Sequence, residues 1–109
     1  MADPSPLGEF EQLVMLGVLQ SGDDAYGVPV WRAIEARAAR KVSLAAVYKT
    51  LDRLEAKGAV RSHVGEPTAE RGGRAKRVYR VTPPGLRALR ASISAVRRMT
   101  AGLDGVLGT

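Results

Sequence analysis

Apolar positions along the chain fall into helical spacing four times and into alternation twice. The first helical pattern runs from about Gly8 to Ser21, and its middle, Leu13 to Leu19, is apolar all the way round rather than on one stripe. Such a helix must be covered on more than one face. Burial of part of it by a second copy of the chain is expected, a central helix within one domain being the alternative. Gly22-Asp23-Asp24 reads as a turn with Asp24 as N-cap of a second helix from Ala25 to Ala39. Pro29 falls near the first turn of that helix, where proline costs little. Tyr26, Val30, Ile34 and Ala38 define its inner face at four-residue spacing. Trp31 stands at the edge of that face, as a packing residue or as the wall of a ligand pocket. Ser43 then caps a third helix from Leu44 to Lys57, stopped by Gly58. Leu44, Val47, Leu51 and Leu54 form its buried stripe. The opposite face carries Ala45, Ala46, Tyr48, Lys49, Asp52, Arg53 and Ala56, small residues and hydrogen-bonding groups that permit close approach to a surface.

Ala59 to Gly65 alternates, with Val60 and Val64 inward, Ser62 inward or half-buried, and Arg61 and His63 outward, and so predicts a strand. Lys76 to Val81 predicts its partner, and Glu66 to Ala75, with Gly72-Gly73 at the bend, predicts the hairpin loop between them. Thr82-Pro83-Pro84-Gly85 is a cap followed by proline and opens a fourth helix. Leu86, Leu89, Ile93, Val96, Thr100, Leu103 and Leu107 trace a heptad-like seam along it, with Arg87, Arg90, Arg97 and Arg98 off the seam, a pattern that suits pairing with another helix, packing onto the chain's own domain being the alternative. Gly102, Gly105 and Gly108 predict that order fades after about Ala101. The organisation expected is a flexible arm at 1–7, a compact domain at 8–82, and a pairing helix with a frayed tail at 83–109.

The 109 residues suit one domain with one core, and 45% hydrophobic with 26% charged residues is an ordinary globular balance. With no Cys and a single His, His63, the chain excludes disulfides, thiolate or multi-histidine metal sites and a Cys nucleophile. No metal or other cofactor is expected, and an enzyme is disfavoured because nothing assembles as acid, base or nucleophile. The absence of a long apolar run or a signal-like start predicts a cytoplasmic protein with no membrane partner. Charge adds more. Seventeen Lys and Arg against eleven Asp and Glu leave +6, and the distribution is polar: Met1 to Val30 holds five acidic side chains and no basic one. Arg71 to Arg98 holds nine basic side chains and no acidic one. Such a stretch repels itself unless an anion lies beside it, the alternative being a solvated surface that keeps the protein soluble.

The order helix, helix, helix, two-stranded hairpin, helix is that of a winged helix-turn-helix, an α+β but mainly α fold. It has a three-helix core, a two-stranded wing and a C-terminal dimerisation helix. A helix enters the major groove of DNA only if its exposed face is small enough for access and carries donors for base edges, with cations to either side for phosphates. Lys49 and Arg53 are the expected guanine readers, with Ala45 and Ala46 giving access. Ser43, Tyr48, Arg71, Arg74 and Lys76 are suited to phosphate contacts that set register and affinity, and Tyr26 completes the expected DNA-binding set. Asp52 either accepts from cytosine or pairs with Arg53 or Lys49. Leu13, Leu16, Leu86, Leu89, Ile93, Val96 and Leu103 are the expected dimer interface.

Leu7–Glu11, Asp24–Gly27, Val42–Leu54 and the run Gly72–Thr82 together resemble the PadR family of bacterial transcriptional regulators, over residues 7 to about 91. The resemblance implies a homodimeric winged-helix repressor that binds a double-stranded, dyad-symmetric operator through the third helix and wing, its C-terminal helix and first helix making the dimer. Some members are released from DNA by small phenolic or drug-like effectors. Only one helix follows Pro83, so the chain is similar to the short subfamily. That helix contains no Phe, Tyr or Trp, which leaves Trp31 as the one large aromatic candidate for an effector pocket. The competing reading is a winged-helix protein-interaction module that binds an acidic protein and not DNA, since fold alone does not set function.

Overall fold

The computed structural model describes residues 6–65 and 76–108. In chain order these form α1 (Glu9–Ser21), a 3₁₀ turn (Gly22–Asp24), α2 (Gly27–Arg37), α3 (Leu44–Ala56), β1 (Val60–Val64), β2 (Arg77–Val81), α4 (Pro83–Thr100) and a single-turn α5 (Asp104–Leu107). The expected loop Glu66–Ala75, with Arg71 and Arg74, and the first five residues lie outside the described residues.

Much of the apolar surface of α1 is covered inside one chain, where it packs against α2, α3, β2 and α4, while Leu19 near its end is 48% exposed. Val14, Met15 and Val18 are buried, while Leu13 and Leu16 are partly buried against the same core. Gly17 permits a close approach of α1 to α2, because a Cβ there would stand 3.0 Å from Val30 Cγ1 and 3.2 Å from the Val30 carbonyl oxygen. Leu7, expected in the flexible arm, belongs to the domain. Leu7 is buried in the core and its carbonyl accepts from Gln12 Nε2 at 3.0 Å, while the Gly8 amide donates to Glu11 Oε1 at 2.9 Å and so caps the helix.

Asp24 does not cap α2. It closes the 3₁₀ turn, its carbonyl accepts from the Tyr26 amide at 2.9 Å, and the helix starts at Gly27 with Tyr26 in the N-cap position. The helix also stops short of Ala39, which takes the left-handed conformation (φ 51°) that ends a helix and that glycine adopts at less cost. Val30 and Ile34 are buried as expected, whereas Tyr26 is half-buried and Ala38 exposed. The turn into α3 is held by the Trp31 indole N–H, which donates to the Val42 carbonyl at 2.8 Å, and by the Val42 amide, which donates to Glu35 at 3.2 Å.

The strands pair antiparallel with Ser62 opposite Tyr79. Alternation holds for Val60 and Tyr79, both 2% exposed, but fails towards the tip, where Val64, expected inward, is 57% exposed because the wing has left the core. His63 is exposed on the strand as expected. Thr82 caps α4 by accepting from the Gly85 amide at 3.1 Å. Where order was expected to fade, the chain breaks at Ala101–Leu103, with Gly102 at φ 82°, and turns again in α5.

Candidate nucleic-acid interface

Ser43 accepts the Ala46 amide at 3.0 Å, and this cap fixes where α3 begins and hence which side chains share a face. Val47, Leu51 and Leu54 are completely buried, joined by Thr50 at 2% exposure, while Leu44 is half-buried. The opposite side of the same helix presents Ala45, Tyr48, Lys49, Asp52, Arg53 and Ala56 as exposed residues, with Ala46 half-buried among them. One side of α3 is therefore fully used by the core and the other offers donors and methyl groups to a surface.

The expected base readers differ in freedom. Lys49 has no ion pair among the described residues. Arg53 is tethered at the α1 end of the face: its Nε lies 3.9 Å from Glu11 Oε2 and its Nη2 donates to Thr50 Oγ1 at 3.4 Å. Lys57 Nζ donates to both Glu11 oxygens at 3.0 Å, so Glu11 joins the start of α1 to the end of α3. Burial alone pushes the Glu11 carboxyl up, but the Gly8 amide, Lys57 and Arg53 outweigh it and hold the group below the usual carboxylate range. Asp52 makes neither of the expected ion pairs among the described residues. Its charge, with that of Glu55, adds to burial in pushing the Tyr79 hydroxyl up.

Tyr26, Tyr48 and Lys76 meet at the first turn of α2 although they come from three parts of the chain. The Tyr48 ring lies directly on Gly27, where any Cβ would overlap it, and Lys76 Nζ stands 4.2 Å from the centroid of the Tyr26 ring. Tyr26 provides no side-chain cap, so the positive end of α2 adds to this cluster, a combination suited to a phosphate. Nothing local in the sequence marks this meeting, since Tyr26 and Lys76 are brought together by a backbone bond from the Tyr79 amide to the Ala25 carbonyl at 2.8 Å.

The expected dimer residues divide into two groups. Leu89 is 2% exposed and belongs to the chain's own core, so it has no surface for a partner, while Leu86 is half-buried and Ile93 packs partly against that core. Val96 and Leu103 are exposed at 58% and 43% and are joined by Met99, Val106 and Leu107, none of which except Leu107 stood out in the sequence as part of an apolar face. Trp31 is engaged at the α2–α3 turn. An apolar groove of about 250 Å³ lies elsewhere, between α1 and α2, lined by Leu13, Leu16, Ile34, Ala38 and the side chains of Gln20 and Arg37. Among the described residues no cluster of His, Asp or Glu is arranged to hold a metal ion, and no helix is long and apolar enough to cross a membrane.

No functionally curated protein matches the sequence. Solved structures do. A PadR-like transcriptional regulator from Bacillus cereus is 17% identical with a TM-score of 0.70, covering 92% of each chain. A PadR family transcription regulator from Clostridium difficile is 21% identical with a TM-score of 0.70, covering 90% of this chain and 98% of the other. A PadR family transcriptional regulator from Eggerthella lenta is 26% identical with a TM-score of 0.67, covering 93% and 88%. The model of the transcriptional regulator PadR-like family matches residues 15–91, well over half of the chain, and the winged-helix fold agrees with it. This protein, with its capped and two-sided α3, is a member of the PadR-like family of transcriptional regulators.

Proposed function

We propose that the protein is a cytoplasmic, sequence-specific repressor that binds a dyad-symmetric operator as a homodimer, α3 entering the major groove and the wing gripping the flanking phosphates. The observation that carries this reading is the division of α3: Val47, Leu51 and Leu54 completely buried, and Ala45, Tyr48 and Lys49 exposed along the other side of the same capped helix. Lys49 and Arg53 read guanine edges, Arg53 after leaving Glu11. Ser43, Tyr26, Tyr48 and Lys76, with Arg71 and Arg74 beyond the described residues, take phosphates. The exposed distal part of α4, with Val96 and Met99, and Leu103 just beyond it, together with the half-buried Leu13, Leu16 and Leu86, forms the dimer. Two modules about a twofold axis then read half-sites about 34 Å apart or a multiple of it. The α4 helix contains no Phe, Tyr or Trp on which a flat effector could stack.

Fluorescence anisotropy with a duplex from upstream of the protein's own gene tests the reading. Binding at low salt, displaced by excess duplex and weakening steeply as salt rises, is expected. Lys76→Ala weakens binding to all sequences and lowers the salt slope by about one, whereas Lys49→Ala changes which sequence is preferred. Absence of a complex at low salt, or a complex that competitor duplex does not displace, overturns the reading in favour of a protein partner.

A further inference from the structure

A two-stranded ribbon is marginally stable alone and takes its attitude from what holds its edges. Here both edges are held at one rung. Ser62 and Tyr79 face each other, and the backbone bonds from the Thr82 amide to Ala59 at 3.0 Å and from the Gly65 amide to Lys76 at 2.7 Å lie on either side of that rung. At Ser62 and Tyr79 the amides point outward. The Tyr79 amide reaches the Ala25 carbonyl at 2.8 Å, which ties β2 to the segment before α2. On the other edge the Ser62 amide donates to Glu55 Oε2 at 3.1 Å and the Ser62 hydroxyl donates to the same oxygen at 2.7 Å. The Arg77 guanidinium then donates to the Ser62 hydroxyl oxygen at 3.0 Å. One carboxylate in the last turn of α3 therefore holds both strands of the wing.

Apolar packing does not duplicate this anchor. Val60 and Tyr79 are buried, but past Ser62 the residues His63 and Val64 are exposed, so Ser62 is the last rung of β1 tied to the body of the protein. We propose that Glu55 is a positioning residue: it fixes the attitude of the wing relative to α3 and thereby the spacing between major-groove side chains and the cations Lys76 and Arg77. A carboxylate beside a phosphate-binding surface would otherwise repel DNA, and here Ser62 and Arg77 absorb its charge. The inference deepens the proposed function and rests on it only for the DNA arm of its test.

The test uses the full chain with Glu55→Ala, Glu55→Gln and Ser62→Ala. Without DNA, Glu55→Ala is expected to lower hydrogen-exchange protection of the Ser62 amide about tenfold, leaving Ala46 and Tyr79 amides unchanged. Glu55→Gln, which keeps an acceptor oxygen, largely restores protection. Ser62→Ala keeps the amide bond to Glu55 but removes the hydroxyl bond to it and releases Arg77, so protection of the residue 62 amide is expected to stay nearer to wild type than in Glu55→Ala. With the upstream duplex, Glu55→Ala loses hydroxyl-radical protection at the wing flanks and lowers the salt slope by about one, while methylation interference at major-groove guanines is retained. Wild-type protection of residue 62 in Glu55→Ala, or loss of wing and major-groove contacts together, overturns the proposal. If the wild type binds no duplex, the proposed function fails while the exchange arm still decides whether Glu55 holds the wing.

Discussion

Replacing Gly85 by alanine tests how α4 is docked. Gly85 is the third residue of the helix and is buried against the residue that opens the wing. A Cβ there would overlap the Ala59 carbonyl oxygen and stand 2.8 Å and 2.9 Å from its carbonyl carbon and Cα. These are backbone atoms, so no rotamer change relieves the overlap, and ordinary contact requires the strand and helix to part by more than an ångström. The same carbonyl accepts from the Thr82 amide at 3.0 Å and from the Thr82 hydroxyl at 3.2 Å, so parting also loosens the α4 cap. Overpacking costs about 1–3 kcal/mol, and with backbone on one side the upper end applies. The helix gains up to about 1 kcal/mol from replacing glycine. The balance is a loss of about 2 kcal/mol, or a Tm lower by roughly 8–16 °C for a domain of this size. Gly105→Ala, with nothing within 4 Å, is the control and should leave Tm unchanged or slightly raised. Thermal unfolding by circular dichroism measures both. A Gly85→Ala protein as stable as wild type would refute the packing argument.

The remaining expectations concern three other contacts. Gly27→Ala forces the Tyr48 ring off the first turn of α2, so a double-mutant cycle with Tyr48→Ala in urea should show a coupling of about 1–3 kcal/mol; additivity within about 0.5 kcal/mol counts against the contact. Ala39→Gly relieves the left-handed conformation and should stabilise by about 0.5–1 kcal/mol, read as a higher urea midpoint at constant slope. The Glu11 carboxyl is held below its unfolded value, so its stabilisation is complete above roughly pH 4.3 and is lost as pH falls through the folded value. Glu11→Gln should flatten the stability profile below that pH, and a profile that still falls as in wild type would remove Glu11 from the account.

What the chain reveals of itself is what is encoded locally. Ser43 and Thr82 lie immediately before periodic stretches, and both accept the amide three residues on, so the starts of α3 and α4 are legible. Asp24 carries the same signal and does not act on it. The buried Ala25 must present its carbonyl to Tyr79, and the chain turns once more before α2 begins, a tertiary demand that overrides the capping preference. Periodicity located the inner stripe of α3 because one core covers it. It could not assign the seam of α4, because spacing says which residues share a face and nothing about which neighbour that face meets. Glu11 and Glu55 were invisible for a related reason: each resembles any surface glutamate until a partner distant in sequence, Lys57 or Ser62, comes within hydrogen-bonding distance.

The division of α4 links stability to operator geometry. Its first half, through Leu89 and Ile93, is committed to the chain's own core, and its second half, through Val96 and Met99, is exposed, as is Leu103 just past its end. On the proposed dimer the exposed half sets where the partner stands, and the buried half sets where this protomer's α3 stands relative to it. The Gly85–Ala59 contact is then a ruler as well as a packing feature. A shift of about an ångström where α4 meets Ala59 would be carried, on each side of the twofold axis, into the separation of the two reading helices, whose half-sites lie roughly 34 Å apart. A glycine that appears only to permit close packing would thus fix the operator spacing that the dimer accepts, and Gly85→Ala dimers that remain folded should prefer a spacing different from wild type in a selection over half-site separations.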